Sequence, residues 1–316
     1  MNTETNIISE TVAKALDRRS FLRRTGGGMA ALMGASAILG LREADAAPTA
    51  MDAAILNFAL NLEYLEAEYY TYAVTGLGIR AQGVPADSGK GEGGGIIIKA
   101  NPKVTFTDPD IEDYAQEIAA DELAHVKFLR SALQKAGVTP VREPKLDLLN
   151  SFNTLAKAAG IGDSFDPFAN QTNFLLGAFI FEDVGVSAYK GAAPLISDKR
   201  VLGSAAGILS AESYHAAIVR TELFDLSSKS GGGSIISTVQ KISDLRDALD
   251  PRSNGKNDDD DQGITDAFGN ANLFPSNRNG LAFSRTTRQV LNIVYGKVNA
   301  KQGLFFPKGL NGPIDN

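Results

Sequence analysis

Cysteine is absent from the 316 residues of this chain, and histidine occurs only twice. Without cysteine there is no disulfide bond, no thiolate nucleophile and no cysteine-bound metal. The formal net charge of −6 and the pI near 5.1 give no electrostatic reason to expect a nucleic acid partner. Any bound metal must use glutamate, aspartate, histidine or backbone oxygen. That donor set suits iron and manganese, with zinc and calcium as alternatives.

Both histidines stand in the same short motif, Glu-x-x-His. One copy is Glu122 and His125, and the other is Glu212 and His215. Residues three apart share a face of an α-helix, so each motif directs one carboxylate and one imidazole to the same point. Both motifs fall on apolar helix faces, where an unpaired carboxylate is costly unless a cation neutralises it. The neighbouring Asp121 is expected on the flank, where it would support a histidine of another helix.

Two further glutamates are each followed by a tyrosine seven residues later: Glu63 by Tyr70, and Glu182 by Tyr189. Seven residues are two helical turns, so each pair lies along one face. We predict that the tyrosines lie beside the metals and hydrogen-bond ligand carboxylates; ordinary core packing is the alternative. Glu66, one turn after Glu63, remains an alternative ligand. The order Glu, Glu-x-x-His, Glu, Glu-x-x-His is a two-fold internal repeat.

Four long segments have the apolar spacing of amphipathic helices. They are residues 52–75, 109–136, 171–189 and 198–226. Asp52 is expected to cap the first, and Thr107 or Asp108 the second. A glycine-rich loop, residues 77–107, follows the first helix, and we expect a small hairpin within its residues 96–106. The connection from the second helix to the third is long, as a bundle requires when those two helices run in the same direction.

Residues 1–46 have the features of an export signal. Residues 18–23 read Arg-Arg-Ser-Phe-Leu-Arg, an apolar stretch follows, and Ala44-Asp45-Ala46 offers a small-x-small cleavage site. The apolar stretch is short for a membrane span. We predict a twin-arginine signal, with an uncleaved anchor as the alternative, and no stable membrane insertion after processing. The mature protein would be periplasmic or secreted.

The rest divides into a bundle, residues 47–230, and a C-terminal extension, residues 231–316, with short helices and irregular chain. The extension contains the acidic run Asp258–Asp261. This run lacks the glycine and terminal glutamate of an EF-hand loop, so we interpret it as a solvated acidic loop. The apolar tail around Phe305 and Phe306 is expected to pack back onto the bundle.

The Glu and Glu-x-x-His duplication resembles the ferritin-like superfamily. Residues 56–67, Asp121–His125 and the tail Phe305–Gly309 resemble exported ferritin-like proteins related to plant desiccation-related proteins. The resemblance implies an all-α, ferritin-like four-helix bundle with a long crossover between its second and third helices. It also implies an association with stress, and it does not settle an activity.

These observations predict an exported carboxylate protein that binds two metal ions, iron or manganese, and reacts with small oxidants. The expected ligands are Glu63, Glu122, His125, Glu182, Glu212 and His215, and the expected catalytic residues are Tyr70 and Tyr189. Expected partners are the metal ions, small oxidants, the twin-arginine export machinery and further copies of the chain. The alternative is a non-enzymatic stress or desiccation scaffold, in which metal is structural or absent.

Overall fold

The computed structural model describes residues 48–229, 233–251 and 261–314. The predicted export signal lies outside the described residues. The helices are α1 (Ala50–Thr75), α2 (Pro109–Lys135), α3 (Asn150–Ala158), α4 (Gln171–Ala192), α5 (Lys199–Lys229), α6 (Gly233–Leu249) and α7 (Thr287–Tyr295). Short 3₁₀ helices occupy Ile79–Gln82 and Ala193–Leu195. Within the described part of the chain, no helix is both long and apolar enough to cross a membrane.

The four predicted long helices are confirmed, with ends shifted by no more than three residues. α1 packs along α2 and α4 packs along α5, while contacts of α1 with α4 and of α2 with α5 close a four-helix bundle. The long crossover between α2 and α4 contains α3. This arrangement surrounds a common interior with the inner faces of all four long helices, which are the faces that carry the predicted ligands.

The start of α1 differs from the expectation that Asp52 caps it. Thr49 is the cap, and Asp52 is the third helical residue of a capping box in which each side chain accepts from the other's backbone N–H. The Asp52 carboxylate also accepts a 2.8 Å hydrogen bond from the backbone N–H of Ser197, just before α5. Asp52 therefore joins the ends of two bundle helices. Asp108 caps α2 as expected.

The predicted hairpin in the glycine-rich loop is wrong. β1 (Ile96–Ile97) pairs instead in parallel with β2 (Leu146–Asp147) of the crossover. Leu146 is fully buried, so pairing with the crossover places β1 against the core rather than against its own loop. The second predicted strand of the hairpin does not pair with β1. Its Val104 N–H instead donates a 2.8 Å hydrogen bond to the Ala73 carbonyl of α1.

The C-terminal tail packs onto the bundle, as predicted. The Phe305 ring lies 5.2 Å from the Phe152 ring of α3 and 5.0 Å from the Phe181 ring of α4. The Asn61 side chain of α1 exchanges hydrogen bonds of 2.8 and 2.9 Å with the backbone of Asn311. The tail and the loop thus cover the outer side of α1, which is why α1 is buried on almost every face.

A buried ion network also joins the extension to the bundle. Asp183 of α4 accepts from Arg220 at 2.7 Å and from Arg246 at 3.0 Å, and Asp261 pairs with Arg246 at 2.5 Å and Arg285 at 2.7 Å. The expectation of a solvated loop is therefore wrong for Asp261, whose carboxylate is buried between guanidinium groups. The rest of the acidic run, residues 258–260, lies outside the described residues.

Candidate metal centre

The six predicted ligands meet in the interior of the bundle. α1 contributes Glu63, α2 contributes Glu122 and His125, α4 contributes Glu182, and α5 contributes Glu212 and His215. Their donor atoms form two overlapping groups, each with all members within 4.8 Å of one another. The groups are Glu63, Glu122, His125 and Glu212, and Glu122, Glu182 and His215. Glu122 belongs to both, so it lies between the two clusters.

His125 faces carboxylates from three helices. Its Nδ1 lies 3.2 Å from Glu63 Oε2, 3.5 Å from Glu122 Oε2 and 3.5 Å from Glu212 Oε1. The helical spacing of the Glu-x-x-His motif explains the contact with Glu122, which is one turn away on the same face. The contacts with Glu63 and Glu212 are made only because α1 and α5 pack against α2.

His215 occupies the corresponding place on the other side. Its Nδ1 lies 3.0 Å from Glu122 Oε1 and 3.7 Å from Glu182 Oε2. Its Nε2 lies 3.2 Å from Asp121 Oδ2, on α2. The prediction that Asp121 supports a histidine of another helix is confirmed. A carboxylate on the far nitrogen fixes the ring orientation and leaves Nδ1 facing the cluster.

Tyrosine hydroxyls hold the two glutamates that stand outside the Glu-x-x-His motifs. Tyr70 donates to Glu182, and Tyr189 donates to Glu63. The predicted hydrogen bonds of the tyrosines to Glu182 and Glu63 are confirmed, and both tyrosines are also packed in the apolar core. A catalytic role for either one stays a prediction.

Glu66 is a further buried carboxylate at this centre, although it belongs to neither group of donors. The geometry therefore favours Glu63 over Glu66 as the ligand from α1. Gly185 of α4 makes the close packing here feasible, because a Cβ at this position would lie 2.4 Å from Glu212 Oε2 and 3.5 Å from Glu66 Oε1. Sequence reasoning missed Gly185. The available signal was a glycine in mid-helix, one turn after Glu182.

The ferritin-like domain family matches residues 51–225, a range that contains all six predicted ligands. The chain belongs to the ferritin-like domain family. The match and the mainly helical structure confirm the predicted fold class.

Two known proteins are similar to this chain over most of its length. A desiccation-related protein from Craterostigma plantagineum, PCC13-62, is 29% identical over 287 residues, covering 83% of each chain. The ferritin-like catalase Nec2 from Nesocodon mauritianus is 25% identical over 291 residues, covering 83% of this chain and 84% of the relative. Each alignment covers 83% of this chain, more than residues 1–230 alone contain, so the similarity continues into the C-terminal extension. They also confirm the resemblance to the desiccation-related group.

Burial, repulsion among carboxylates and attraction between carboxylates and histidines set the pKa values at this site. Burial raises the pKa of Glu212 and Glu66 well above the usual range, and the neighbouring carboxylates add to the shift. Burial opposes a charged His125, but Glu63 and Glu122 outweigh burial and raise its pKa to about 11. Burial likewise opposes a charged His215, whose pKa is raised to about 10 by Asp121 and Glu122. Positive charge is therefore strongly favoured among these carboxylates.

The residues present fit a pair of metal cations. Donor atoms without a well-directed hydrogen bond converge in the interior, where they face one another: Glu63 Oε2, both oxygens of Glu122, Glu182 Oε2, both oxygens of Glu212, and Nδ1 of His125 and of His215. Buried polar atoms are nearly always hydrogen-bonded, so carboxylates and imidazoles gathered without well-directed hydrogen bonds favour a further, positively charged partner between them. Carboxylate oxygen and imidazole nitrogen are suitable ligands for iron and manganese.

Proposed function

We propose that this chain is an exported ferritin-like protein that binds two iron or manganese ions and uses them to handle oxidants. The observation that carries the proposal is the pair of overlapping donor groups that share Glu122, whose oxygens and nitrogens face one another in a buried core without well-directed hydrogen bonds. Such a donor set is typical of di-metal carboxylate bundles. A bound pair of these ions would supply redox cycling of the kind that oxidises Fe(II) or dismutates peroxide.

The side chains have distinct roles in this proposal. Glu122 and Glu212 would bridge or cap the ions, and each histidine would bind one of them. Glu63 and Glu182 would be terminal ligands, each held in place by a tyrosine from the opposite helix. The aromatic and aliphatic residues around them exclude water, which strengthens every electrostatic interaction inside. Asp121, which is half exposed, would orient His215 from the solvent side.

Peroxide dismutation and Fe(II) oxidation are the two reactions to compare. The relative named ferritin-like catalase supports peroxide as the substrate. The absence of cysteine agrees with either reaction, because neither needs a protein nucleophile. The metal that the protein carries decides between the assays: ferroxidase activity for iron, and catalase activity for manganese.

The first experiment is elemental analysis of the mature protein, purified after export by its own signal. We expect close to two iron or manganese atoms per chain. The double variant Glu122→Ala with Glu212→Ala should lose them, whereas Glu117→Ala, at an exposed position of α2, should retain them. Unchanged metal content in the double variant contradicts the ligand assignment.

Export is a separate part of the proposal. The twin-arginine route carries folded proteins, which suits a bundle that acquires its metal before transport. Arg18→Lys combined with Arg19→Lys should leave the protein in the cytoplasm, whereas the wild-type chain is recovered from the periplasm or the medium. Equal distribution of the two forms contradicts this route.

A second candidate function is a non-enzymatic desiccation scaffold, and the relative named desiccation-related protein favours it. The buried ion network that joins the extension to the bundle would then provide stability without metal. Metal-free protein that protects a test enzyme during drying as well as the metal-loaded form would support this candidate. Protection only by the loaded form, together with turnover of peroxide, would exclude it.

A further inference from the structure

Glu66 is a buried carboxyl group that the ligand assignment leaves unused. It is 5% exposed and belongs to neither group of donors. The charges of Glu122, Glu182 and Glu63 act on it, but no residue in the described part of the chain forms a hydrogen bond with its carboxyl group. A buried polar group without a hydrogen bond is costly, so a small polar molecule beside Glu66 would stabilise it.

A small cavity lies directly beside Glu66, between α1, α4 and α7. Its volume is about 20 Å³. Apart from Glu66 and Gly185, its walls are aliphatic or aromatic: Leu62, Leu65, Ile180, Phe181, Val184, Ile293, Val294 and Phe305. Since one water needs about 10–15 Å³ on this measure, the cavity has room for a molecule of one or two oxygen atoms.

The internal repeat is broken where this cavity meets the metal centre. Glu63 is followed three residues later by Glu66, whereas its counterpart Glu182 is followed three residues later by Gly185. A Cβ at Gly185 would lie 3.5 Å from Glu66 Oε1 and 2.4 Å from Glu212 Oε2. The missing side chain on α4 therefore leaves space next to both Glu66 and the predicted ligand Glu212.

We propose that this cavity binds one molecule of hydrogen peroxide, which forms a hydrogen bond with the carboxyl group of Glu66 beside the metal centre. The inference rests on the proposed function and names the substrate of the same site. Hydrogen peroxide has two oxygen atoms, and it both donates and accepts hydrogen bonds. Dioxygen has the same number of heavy atoms but donates no hydrogen bond to a carboxyl group.

The walls of the cavity select against other oxidants and against metal ions. Burial of an ion among aliphatic and aromatic side chains is costly, so Fe(II) is disfavoured as the molecule that occupies the cavity. An organic hydroperoxide carries an alkyl group for which the cavity has no space. The site is therefore expected to prefer hydrogen peroxide to both.

Leu62 marks the side from which peroxide enters. Of the described residues that line the cavity, it is the one that is not buried. Leu62 lies one helical turn before Glu66, on the same face of α1. A molecule that passes Leu62 thus reaches the carboxyl group of Glu66 and, next to it, the metal centre.

Crystals of the zinc-loaded mature protein, soaked in hydrogen peroxide, test the inference. Zinc takes carboxylate and imidazole ligands but has no redox chemistry, so the peroxide is not consumed. We expect a peroxide molecule in the cavity, within hydrogen-bond distance of Glu66. Glu66→Gln keeps a polar group and should retain the peroxide, whereas Glu66→Leu should lose it.

A second variant fills the cavity from another helix. Val294→Ile adds one carbon to the wall that α7 provides and should exclude peroxide. Val290→Ile, at a buried position of α7 that does not line the cavity, is the matched control. In protein loaded with its redox-active metal, Val294→Ile and Glu66→Leu should raise the KM for peroxide by about tenfold, the effect of about one buried hydrogen bond. Their kcat and metal content should change little.

Peroxide found only elsewhere in the wild-type crystals, or a cavity that holds water alone, overturns the inference without reliance on any variant. Loss of metal in Glu66→Gln also overturns it, because Glu66 would then be a ligand. Failure of the proposed function gives a different result: metal-loaded wild-type protein that does not turn over peroxide. Turnover with an unchanged KM in both Glu66→Leu and Val294→Ile contradicts only the peroxide site.

Discussion

Tyr189 on α4 donates a hydrogen bond to Glu63 on α1. The reciprocal bond runs from Tyr70 on α1 to Glu182 on α4. Each helix therefore supplies a carboxylate to the centre and a hydroxyl that holds the carboxylate of the other helix. The two-fold internal repeat of the sequence therefore corresponds to a reciprocal pair of hydrogen bonds between two packed helices.

Removal of one of these hydroxyls should weaken the fold. Tyr189→Phe leaves a buried oxygen of Glu63 without its donor, and the expected loss in free energy of unfolding is about 1–3 kcal/mol in metal-free protein. Urea denaturation measures it. Tyr214→Phe is the control, because that side chain is 72% exposed and its change should stay within about 0.5 kcal/mol. Equal effects of the two changes would show that the Tyr189 bond contributes nothing to stability.

Gly185 should be essential for the space that Glu212 occupies. In Gly185→Ala the new Cβ would lie 2.4 Å from Glu212 Oε2, so the carboxylate must move and metal content should fall. Overpacking of this kind costs about 1–3 kcal/mol of stability. Gly203→Ala in α5 is the control. Nothing lies within 4 Å of its Cβ position, and alanine there should stabilise the helix by up to about 1 kcal/mol. Full metal content in Gly185→Ala would refute the steric argument.

Asp121 should control metal affinity through His215. Asp121→Asn weakens the acceptor that faces His215 Nε2, and we expect a loss of about 10–100-fold in metal affinity with little change in stability. Competition with a chelator measures the affinity. Glu117→Gln removes an exposed carboxylate one turn earlier on α2 and serves as the control for a general charge effect. If Asp121→Asn and Glu117→Gln reduce the metal affinity by the same factor, Asp121 acts only through its charge.

Helical spacing was sufficient to predict the bundle and the side chains that meet in its interior. Glu122 and His125 lie on the apolar stripe of a helix with clear start and stop signals, so the face that they occupy follows from the sequence. The same reasoning placed Glu63 and Glu182 through their tyrosines. Because the two Glu-x-x-His motifs contain both histidines of the chain, the choice left open among the predicted ligands was the one between Glu63 and Glu66.

Features that depend on contacts distant in the sequence were not predictable in this way. β1 pairs with Leu146 and Asp147 rather than with its neighbour, because a buried partner is available only after the crossover folds. Asp261 is buried because its carboxylate pairs with Arg246 and Arg285, which belong to other segments of the chain. The local acidic composition predicted solvent exposure for this residue. The two guanidinium groups instead compensate its charge in the interior.

Asp247 of α6 links the stability of the extension to pH. Burial and the charge of Asp261 raise its pKa to about 7, against about 3.9 in an unfolded chain. Between these values the folded protein holds a proton that the unfolded chain has released. The contribution to stability is therefore complete below about pH 4, decreases as the pH rises, and is lost above about pH 7.

Asp247→Asn should remove this pH dependence, because asparagine resembles the protonated acid and its Oδ1 can still accept from the Asp261 N–H. Relative to wild type, the variant should be equally stable near pH 4 and about 1 kcal/mol more stable near pH 8. The gain is smaller than the full pKa shift implies, since the partly exposed group is screened by solvent. Urea unfolding at both pH values measures the difference. Asp244→Asn, exposed on the same helix, is the control. A gain at pH 4 as large as that at pH 8 would contradict the assignment of the shift to Asp247.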